Sequence, residues 1–215
     1  MRNKQFYATR PIFDNELEPA TLARENITDE AMFSYVEVSD CTLDHIEADR
    51  ITFKQVVFQK VMFTEAIFRY ADMMNVRFQN CDLSNADFSE AILHRVEFIN
   101  CKLIGINLSE ATLRDVTFEN CNSQYAFFSY ANCKQVSFLQ CQLASADFKN
   151  CAFMKVEFPD SNLRQAQFNF TKLKGIDFTN CDIEGLGVNP ADVNGAVVNA
   201  MQAVSLAGLL GLVIK

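Results

Sequence analysis

The chain has 215 residues, 19 basic and 27 acidic, for a net charge of −8, and nearly half of it is apolar. That is enough for one ordinary domain with its own core, and too apolar for a disordered chain. The acidic balance excludes a general nucleic-acid binder, which needs a cationic surface, and twenty Phe with only seven Gly and four Pro exclude a chain that turns often and irregularly.

The first ten residues (MRNKQFYATR) lack the apolar stretch of a secretory signal, and the apolar run Ala203 to Ile214 is too short to span a bilayer. A cytoplasmic setting with reduced thiols and no membrane partner is expected. Residues 1–30 hold Pro11, Pro19 and an acidic cluster of Asp14, Glu16 and Glu18, and they show none of the periodicity that follows. An array of stacked repeats exposes an unpaired first unit, so this segment is expected to form an N-terminal cap.

From Phe33 to Val188 every position ending in 3 or 8 is large and apolar, except Ala48, Ser123 and Cys133. Positions two residues earlier are small or branched from Ala31 to Leu186, and only Ser161 and Thr171 there are polar. A period of five fits neither a helix nor a strand, and requires a chain that turns a corner every five residues. Longer columns recur every twenty: Val36, Val56, Val76, Val96, Val116, Val136 and Val156, with Phe58, Phe78, Phe98, Phe118, Phe138, Phe158 and Phe178 two residues beyond. Twenty residues therefore make one coil of four sides, in which like side chains stack in ladders. The register does not slip between residues 31 and 190, so no loop is inserted, and the repeat predicts about eight coils and a rod of about 38 Å at ~4.8 Å per coil.

Beyond Asn189-Pro190, the chain forms a third segment, residues 191–215, in which Ala203, Leu206, Ala207 and Leu210 fall at helical spacing. Gly211 is placed to stop that helix, and Leu212-Val213-Ile214 reads as extended. A short apolar helix at the end of a rod covers the last coil or joins a second copy.

The recurrent CDLSN, ADFSE, ADFKN and CDIEG, beginning at residues 81, 86, 146 and 181, follow the pattern A(D/N)LXX. This resembles the pentapeptide-repeat family over about three-quarters of the chain. The resemblance implies an all-β fold, a right-handed quadrilateral β-helix with the large central residue and the small one pointing inward. The spaced Asp192, Gly195, Gln202, Ala203, Leu206, Leu210, Gly211 and Ile214 resemble the tail of the Qnr-type branch. That likeness implies a twofold homodimer through the C-terminus, with Ala203, Leu206, Leu210, Leu212 and Ile214 as the dimerisation residues.

Seven of the eight Cys (Cys41, Cys81, Cys101, Cys121, Cys141, Cys151, Cys181) occupy the small inward position, and Cys133 a central one. Spacings of twenty without His or CxxC make a ladder and not a metal site, so the thiols are read as small packing groups and no metal or cofactor is expected. The Phe ladders are core by register. The column Asn80, Asn100, Asn120, Gln140, Asp160 and Asn180 is read as a structural corner ladder. His45 and His94 stand on different sides, no nucleophile or phosphate-loop motif occurs, and a rod without loops offers no cleft, so an enzyme is not expected.

Charge is uneven around the four sides. The side with Lys54, Arg95, Arg114, Lys134, Lys155, Lys172 and Lys174 holds only Asp72 and Asp115 in opposition. The Val/Phe side carries Glu37, Asp40, Glu97, Glu119, Glu157, Asp160 and Asp177 against Lys60 and Arg77, and the other two sides are each mildly acidic. The Qnr-type branch binds type II topoisomerases by imitating B-DNA and protects them from quinolones. The resemblance thus implies a non-enzymatic DNA mimic that contacts DNA gyrase without binding nucleic acid itself, with Glu37, Glu97, Glu119, Glu157 and Asp177 as the acidic column. Many Qnr proteins carry projecting loops that this chain lacks. B-DNA of the same length would hold about 22 charges, far more than this rod carries. The alternative expectation is a scaffold for protein–protein contact with another partner.

Overall fold

The computed structural model describes residues 8–14 and 16–212. A single parallel sheet runs in sequence order through β1 (Glu18–Ala20), β2 (Met32–Ser39), β3 (Thr52–Gln59), β4 (Asp72–Gln79), β5 (Ile92–Ile99), β6 (Thr112–Glu119), β7 (Asn132–Leu139) and β8 (Ala152–Glu157). From β2 onward each strand pairs with the next at a spacing of twenty, so Val36, Val56, Val76, Val96, Val116, Val136 and Val156 lie side by side. The result is a parallel β-solenoid of about seven turns ending in a short helix. The repeat predicts about eight turns; the strand side is lost after Glu157, where the chain closes its last coils through turns.

Every fifth residue from Glu30 to Phe170 has a positive φ, and Gly105 is the one glycine among them. Holding an L residue there costs on the order of 1 kcal/mol, which explains the preference for Asn and Asp. Stacking offsets the cost. The corner N–H groups donate to the adjacent coil, as Glu65 N does to Ser84 O at 2.9 Å and Asn85 N to Ile104 O at 2.8 Å. No corner could be held alone, so the geometry is a property of the array.

The D/N of the repeat has its own physical cause. Oδ1 of Asp82, Asp87, Asn107, Asp147, Asn162, Asp177 and Asp182 accepts the backbone N–H two residues on, at 2.9–3.1 Å. Each of these Asx turns leads the chain into a corner. Inside, Phe78, Phe98, Phe118 and Phe138 stack nearly parallel with centroids 4.7–4.9 Å apart, while Phe128 meets Phe118 edge-on. The centroid spacing equals the coil spacing of ~4.8 Å, a distance that suits offset stacking, so one Phe per coil continues its column.

The thiols do more than pack. Sγ of Cys81, Cys101, Cys121 and Cys141 lies 3.3–3.4 Å from the carbonyl oxygens of Phe58, Phe78, Phe98 and Phe118, twenty-three residues earlier in each case. Where the column changes residue, Ser161 Oγ donates to Phe138 O at 2.7 Å, and Cys181 resumes on Phe158 O at 3.0 Å. Thr171 Oγ1 does the same for Phe148 O on the opposite side of the coil, at 2.6 Å, in the column where Cys151 Sγ meets Phe128 O. From Cys81 to Cys181 the column therefore carries a small residue with a donor, and Thr171 on the opposite side obeys the same rule, whereas Val61 earlier in the column packs without one.

At the C-terminal end, α1 (Ala200–Ala207) continues that rule. Asn199 and Gln202 form a reciprocal capping box, with Asn199 Oδ1 accepting from Gln202 N and Gln202 Oε1 from Asn199 N. Gln202 Nε2 then donates to Phe178 O at 2.7 Å and to Cys181 O at 2.8 Å. Phe178 is the last Phe of its column, so Gln202 stands where the next thiol would be. Gly211, at φ 74°, ends the following 3-10 turn as its position in the sequence predicts. At the other end β1 pairs with β2 at a spacing of eighteen, and the twenty-residue spacing returns where Arg24 Nη2 donates to Asp44 O. Leu22 and Ile27 are buried against the first coil.

Candidate interaction surfaces

The five carboxylates expected to form one acidic column do not form one. Glu37, Glu97 and Glu157 share a ladder, but Val57, Arg77, Thr117 and Ser137 stand between them, and Glu119 lies on the neighbouring ladder between Ile99 and Leu139. Glu97 is only 2% exposed, held by Arg77 Nε at 2.9 Å and Arg10 Nε at 3.4 Å. It is therefore unavailable to a partner, because two guanidinium groups and the chain that carries Arg10 cover it. Glu157 is half-buried; burial pushes its carboxyl above the ordinary range, although the Ser137 hydroxyl donates to it at 3.0 Å and opposes the rise. Asp177 is exposed, but its Oδ1 is engaged by the N–H and hydroxyl of Thr179. Glu37 and Glu119 are half-buried.

The cover over Glu97 is a strap that the sequence pattern did not reveal. Residues 8–14 run along the rod, across the coils, over the corner formed by Gln55, Asn75, Arg95 and Asp115. Thr9 N donates to Asp115 Oδ1 at 3.0 Å, Ile12 N to Asn75 Oδ1 at 3.2 Å, and Asp14 N to Gln55 Oε1 at 2.9 Å. Gln55 Nε2 returns a bond to Asp14 Oδ2 at 3.0 Å. The Arg77 guanidinium sits 5.4 Å from the Phe13 ring centroid, and Pro11 is buried. A segment expected only to cap the first coil thus lies against four further ones. No periodicity could have shown this, because contacts between residues 9 and 115 belong to no repeat.

The opposite half of the coil carries an aromatic patch. Tyr125, Phe127 and Tyr130 are 58%, 47% and 63% exposed on a single coil. Their stacked neighbours are small or polar: Gly105 and Ser145 beside Tyr125, Asn107 and Asp147 beside Phe127. At the C-terminal end a cleft of about 370 Å³ between the last coil and α1 is lined by Pro190, Val193, Val198, Ala203, Leu206 and Leu209. Of the residues expected at a dimer contact, Ala203 and Leu212 are exposed and Leu206 is half-buried. Leu210 closes the 3-10 turn, and Ile214, with Val213, lies outside the described residues.

His45 Nδ1 is 3.2 Å from Glu65 on an exposed corner. Burial, with Arg95 and Arg114 adding to it, holds the His94 pKa below its ordinary value. Among the described residues no His, Cys, Asp or Glu group is arranged to hold a metal, and no helix is long and apolar enough to cross a membrane. Burial pushes the Cys151 and Cys181 thiols up to about 12 and about 11, so they stay protonated and poorly nucleophilic.

A coil repeated every twenty residues, with inward large and small residues in ladders and Asx turns before its corners, defines a class of stacked five-residue-repeat solenoids. The model of the pentapeptide repeat region matches residues 71–148 and 131–204, more than half of the chain, and that of pentapeptide repeats in eight copies matches residues 48–80. The chain belongs to the pentapeptide-repeat family. No curated protein matches its sequence significantly. Among solved structures it is similar to HetL, a pentapeptide repeat protein involved in heterocyst differentiation regulation in the cyanobacterium Nostoc. The two are 16% identical, with 79% of this chain and 90% of HetL covered and a TM-score of 0.51. QnrB1, a plasmid-mediated fluoroquinolone resistance protein, matches in a trypsin-treated form at 18% identity over 93% of this chain and 99% of that one, with a TM-score of 0.46. A pentapeptide repeat protein of the Arabidopsis thaliana thylakoid lumen is 23% identical over 60% of this chain and 75% of its own, with a TM-score of 0.30.

Proposed function

We propose that this protein is a non-catalytic binding rod that presents acidic sides to a basic protein, and that a type II topoisomerase such as DNA gyrase is that protein, with protection from quinolones as the consequence. The observation that carries the reading is a stack of coils without inserted loops that is net acidic on three of its four sides. Complementary charge of this kind steers association and sets its salt dependence. The burial of Glu97 moves the contact to Glu37, Glu119 and the exposed Asp177. The likeness of the tail to the Qnr-type branch, the apolar cleft beside α1, and the exposed Met201, Val204 and Leu212 support a homodimer through the C-terminus.

A supercoiling titration of gyrase with the purified protein, with and without a quinolone, tests the reading. Inhibition, or activity restored in the presence of drug, is expected, and the double reversal Glu37→Lys, Glu119→Lys should remove it. No effect up to tens of micromolar sinks the topoisomerase assignment. Sedimentation should give a dimer for the native chain and a monomer for Val204→Asp. The second reading, a scaffold for a partner that is not bound by charge, is favoured by the aromatic patch of Tyr125, Phe127 and Tyr130. Binding that survives high salt and is lost in Tyr130→Ala would select it.

A further inference from the structure

Four polar side chains, Gln55, Asn75, Glu97 and Asp115, are buried beneath the strap on what would otherwise be a solvated side of the rod. The uncovered corners of the same ladder differ: Gln135 is half-buried and Lys155 exposed. The covered ones are oriented toward one another as well as toward the strap. Arg95 Nε donates to Asn75 Oδ1 at 2.7 Å and Gln135 Nε2 to Asp115 Oδ1 at 2.8 Å, which aims one row of oxygen acceptors along the rod.

The spacing of that row suits an extended peptide. From Gln55 to Asp115 is three coils, about 14 Å at ~4.8 Å each, and the five residues from Thr9 to Asp14 reach about 17 Å at ~3.3 Å each. Three of the strap's bonds are made by its backbone N–H groups at Thr9, Ile12 and Asp14, and any non-proline residue could supply them. Selectivity comes from two side chains. Arg10 meets the buried Glu97, and Phe13 meets the face of Arg77. A buried carboxylate at one point and a guanidinium plane beside it call for a cation followed three residues later by an aromatic.

We propose that this corner is a peptide-binding groove, filled in cis by residues 8–14, and that it takes an extended segment of a partner protein with a cation–Pro–x–aromatic pattern when the strap is released. The occupant is a peptide with a single cation set against Glu97: residues 8–16 carry Arg10 together with Asp14 and Glu16, and the corner itself is flanked by Arg77, Arg95 and Arg114. The strap is a tethered competitor: joined to the rod through β1, it acts at an effective concentration in about the millimolar range, so a free peptide displaces it only when it binds better or the strap is weakened. This site is independent of the partner named above; it uses Glu97, which that contact does not.

The test uses the full chain. A labelled peptide with the sequence of residues 8–16 is titrated into the native protein, into Arg10→Glu, which places like charges at Glu97, and into Ile12→Pro, which removes the N–H on Asn75 without altering charge. Both variants should bind the peptide at least tenfold more tightly than the native chain, and a peptide carrying Glu in place of Arg10 should not bind. A scrambled peptide that keeps only the cation–Pro–x–aromatic spacing should bind like the parent. Amide exchange at Thr9, Ile12 and Asp14 should be slow in the native chain and fast in Arg10→Glu, and Thr9 and Asp14 should exchange fast in Ile12→Pro, which has no amide at position 12. Both variants touch no core residue and should keep the native melting temperature within a few degrees. Equal binding to all three proteins, binding to none, or native strap amides exchanging at the rate of a free peptide would overturn the proposal.

Discussion

The rod is closed by a strand at its N-terminal end and, at its C-terminal end, by a last turn that bonds residues 173–178 through backbone and by the side chain of Gln202. At the first, β1 adds three parallel ladder pairs to β2, Asp29 Oδ1 accepts from Asp49 N at 2.8 Å, and Leu22 and Ile27 cover the first coil. At the second, the amide of Gln202 meets Asn199 N, Phe178 O and Cys181 O, using three of its four hydrogen-bonding positions. A solenoid leaves open polar groups at both ends; the closing bonds made by backbone tolerate substitution, whereas those made by one buried amide do not.

The largest expected effect follows directly. Gln202→Leu leaves the Cys181 carbonyl without a donor, takes from Phe178 O one of its two donors, and removes half of the capping box, and should lower stability in urea unfolding by about 3 kcal/mol. Exchange at Val197, whose N–H bonds Ile176 O at 2.8 Å, should quicken at the same time. Pro19→Ala in β1 changes no bond and should cost less than about 1 kcal/mol. Comparable losses in the two variants would break the contrast between the ends.

Next comes the column that Gln202 completes. Ser161→Ala removes a donor to Phe138 O and the acceptor for Cys141 N, and should cost about 2 kcal/mol. Ser161→Cys restores the residue used by the rest of the column and should recover most of that loss. If both substitutions were equally costly, thiols would not be acting as donors along the rod, and Gln202 would not be the end of a series.

In the middle of the rod, Ser123 occupies a central position where other coils carry Leu, Phe or Ile, and its Oγ is buried with no hydrogen-bond partner. Ser123→Ala should stabilise the protein by about 1 kcal/mol, measured by the same unfolding curves. It supplies the reference for a polar group that has no role, against Ser161 and Thr171, which have one.

Two carboxylates set opposite pH dependences. The Glu157 carboxyl is raised from its ordinary 4.5 chiefly by burial. Its ionisation therefore opposes folding: the penalty is absent below 4.5 and grows as pH rises through the higher folded value. Burial acts on Asp82 too, but the Ser84 hydroxyl and N–H and the Lys102 ammonium outweigh it and hold the group below its ordinary 3.8. Its contribution is present above 3.8 and is lost as pH falls through the lower folded value. Glu157→Gln should therefore be the more stable protein at pH 7 and lose that advantage below about pH 4.5. Asp82→Asn should lose most of its difference from the native chain at strongly acid pH. The smallest effect leaves stability untouched: in a thiol titration of the native protein the half-buried Cys41 and Cys181 should react first and slowly, and the other six only on unfolding.

Much of this molecule is legible in the chain because its contacts repeat. A residue and its partner twenty positions away occupy equivalent sites, so inward Phe, small column and corner appear as periods, and a single coil implies the array. The Asx turns explain why Asp or Asn precedes the central residue, and Gly211 marks the end of the terminal helix by its backbone alone. The thiol-to-carbonyl bonds were only half visible: Cys and Ser in one column signal a shared donor, but periodicity cannot separate a donor from a small apolar group.

What the tertiary structure decided lies where the period stops. The sides of the rod can be counted for charge from sequence, but whether a carboxylate on them meets a partner depends on what lies across it, and Arg10 reached Glu97 from eighty-seven residues away. The strap, the Gln202 cap and the two-residue offset at β1 are each single events, made by segments that have no equivalent in the other coils. Sequence determines a repeated geometry because every coil votes for it; a contact made once is settled only by how the chain closes in space.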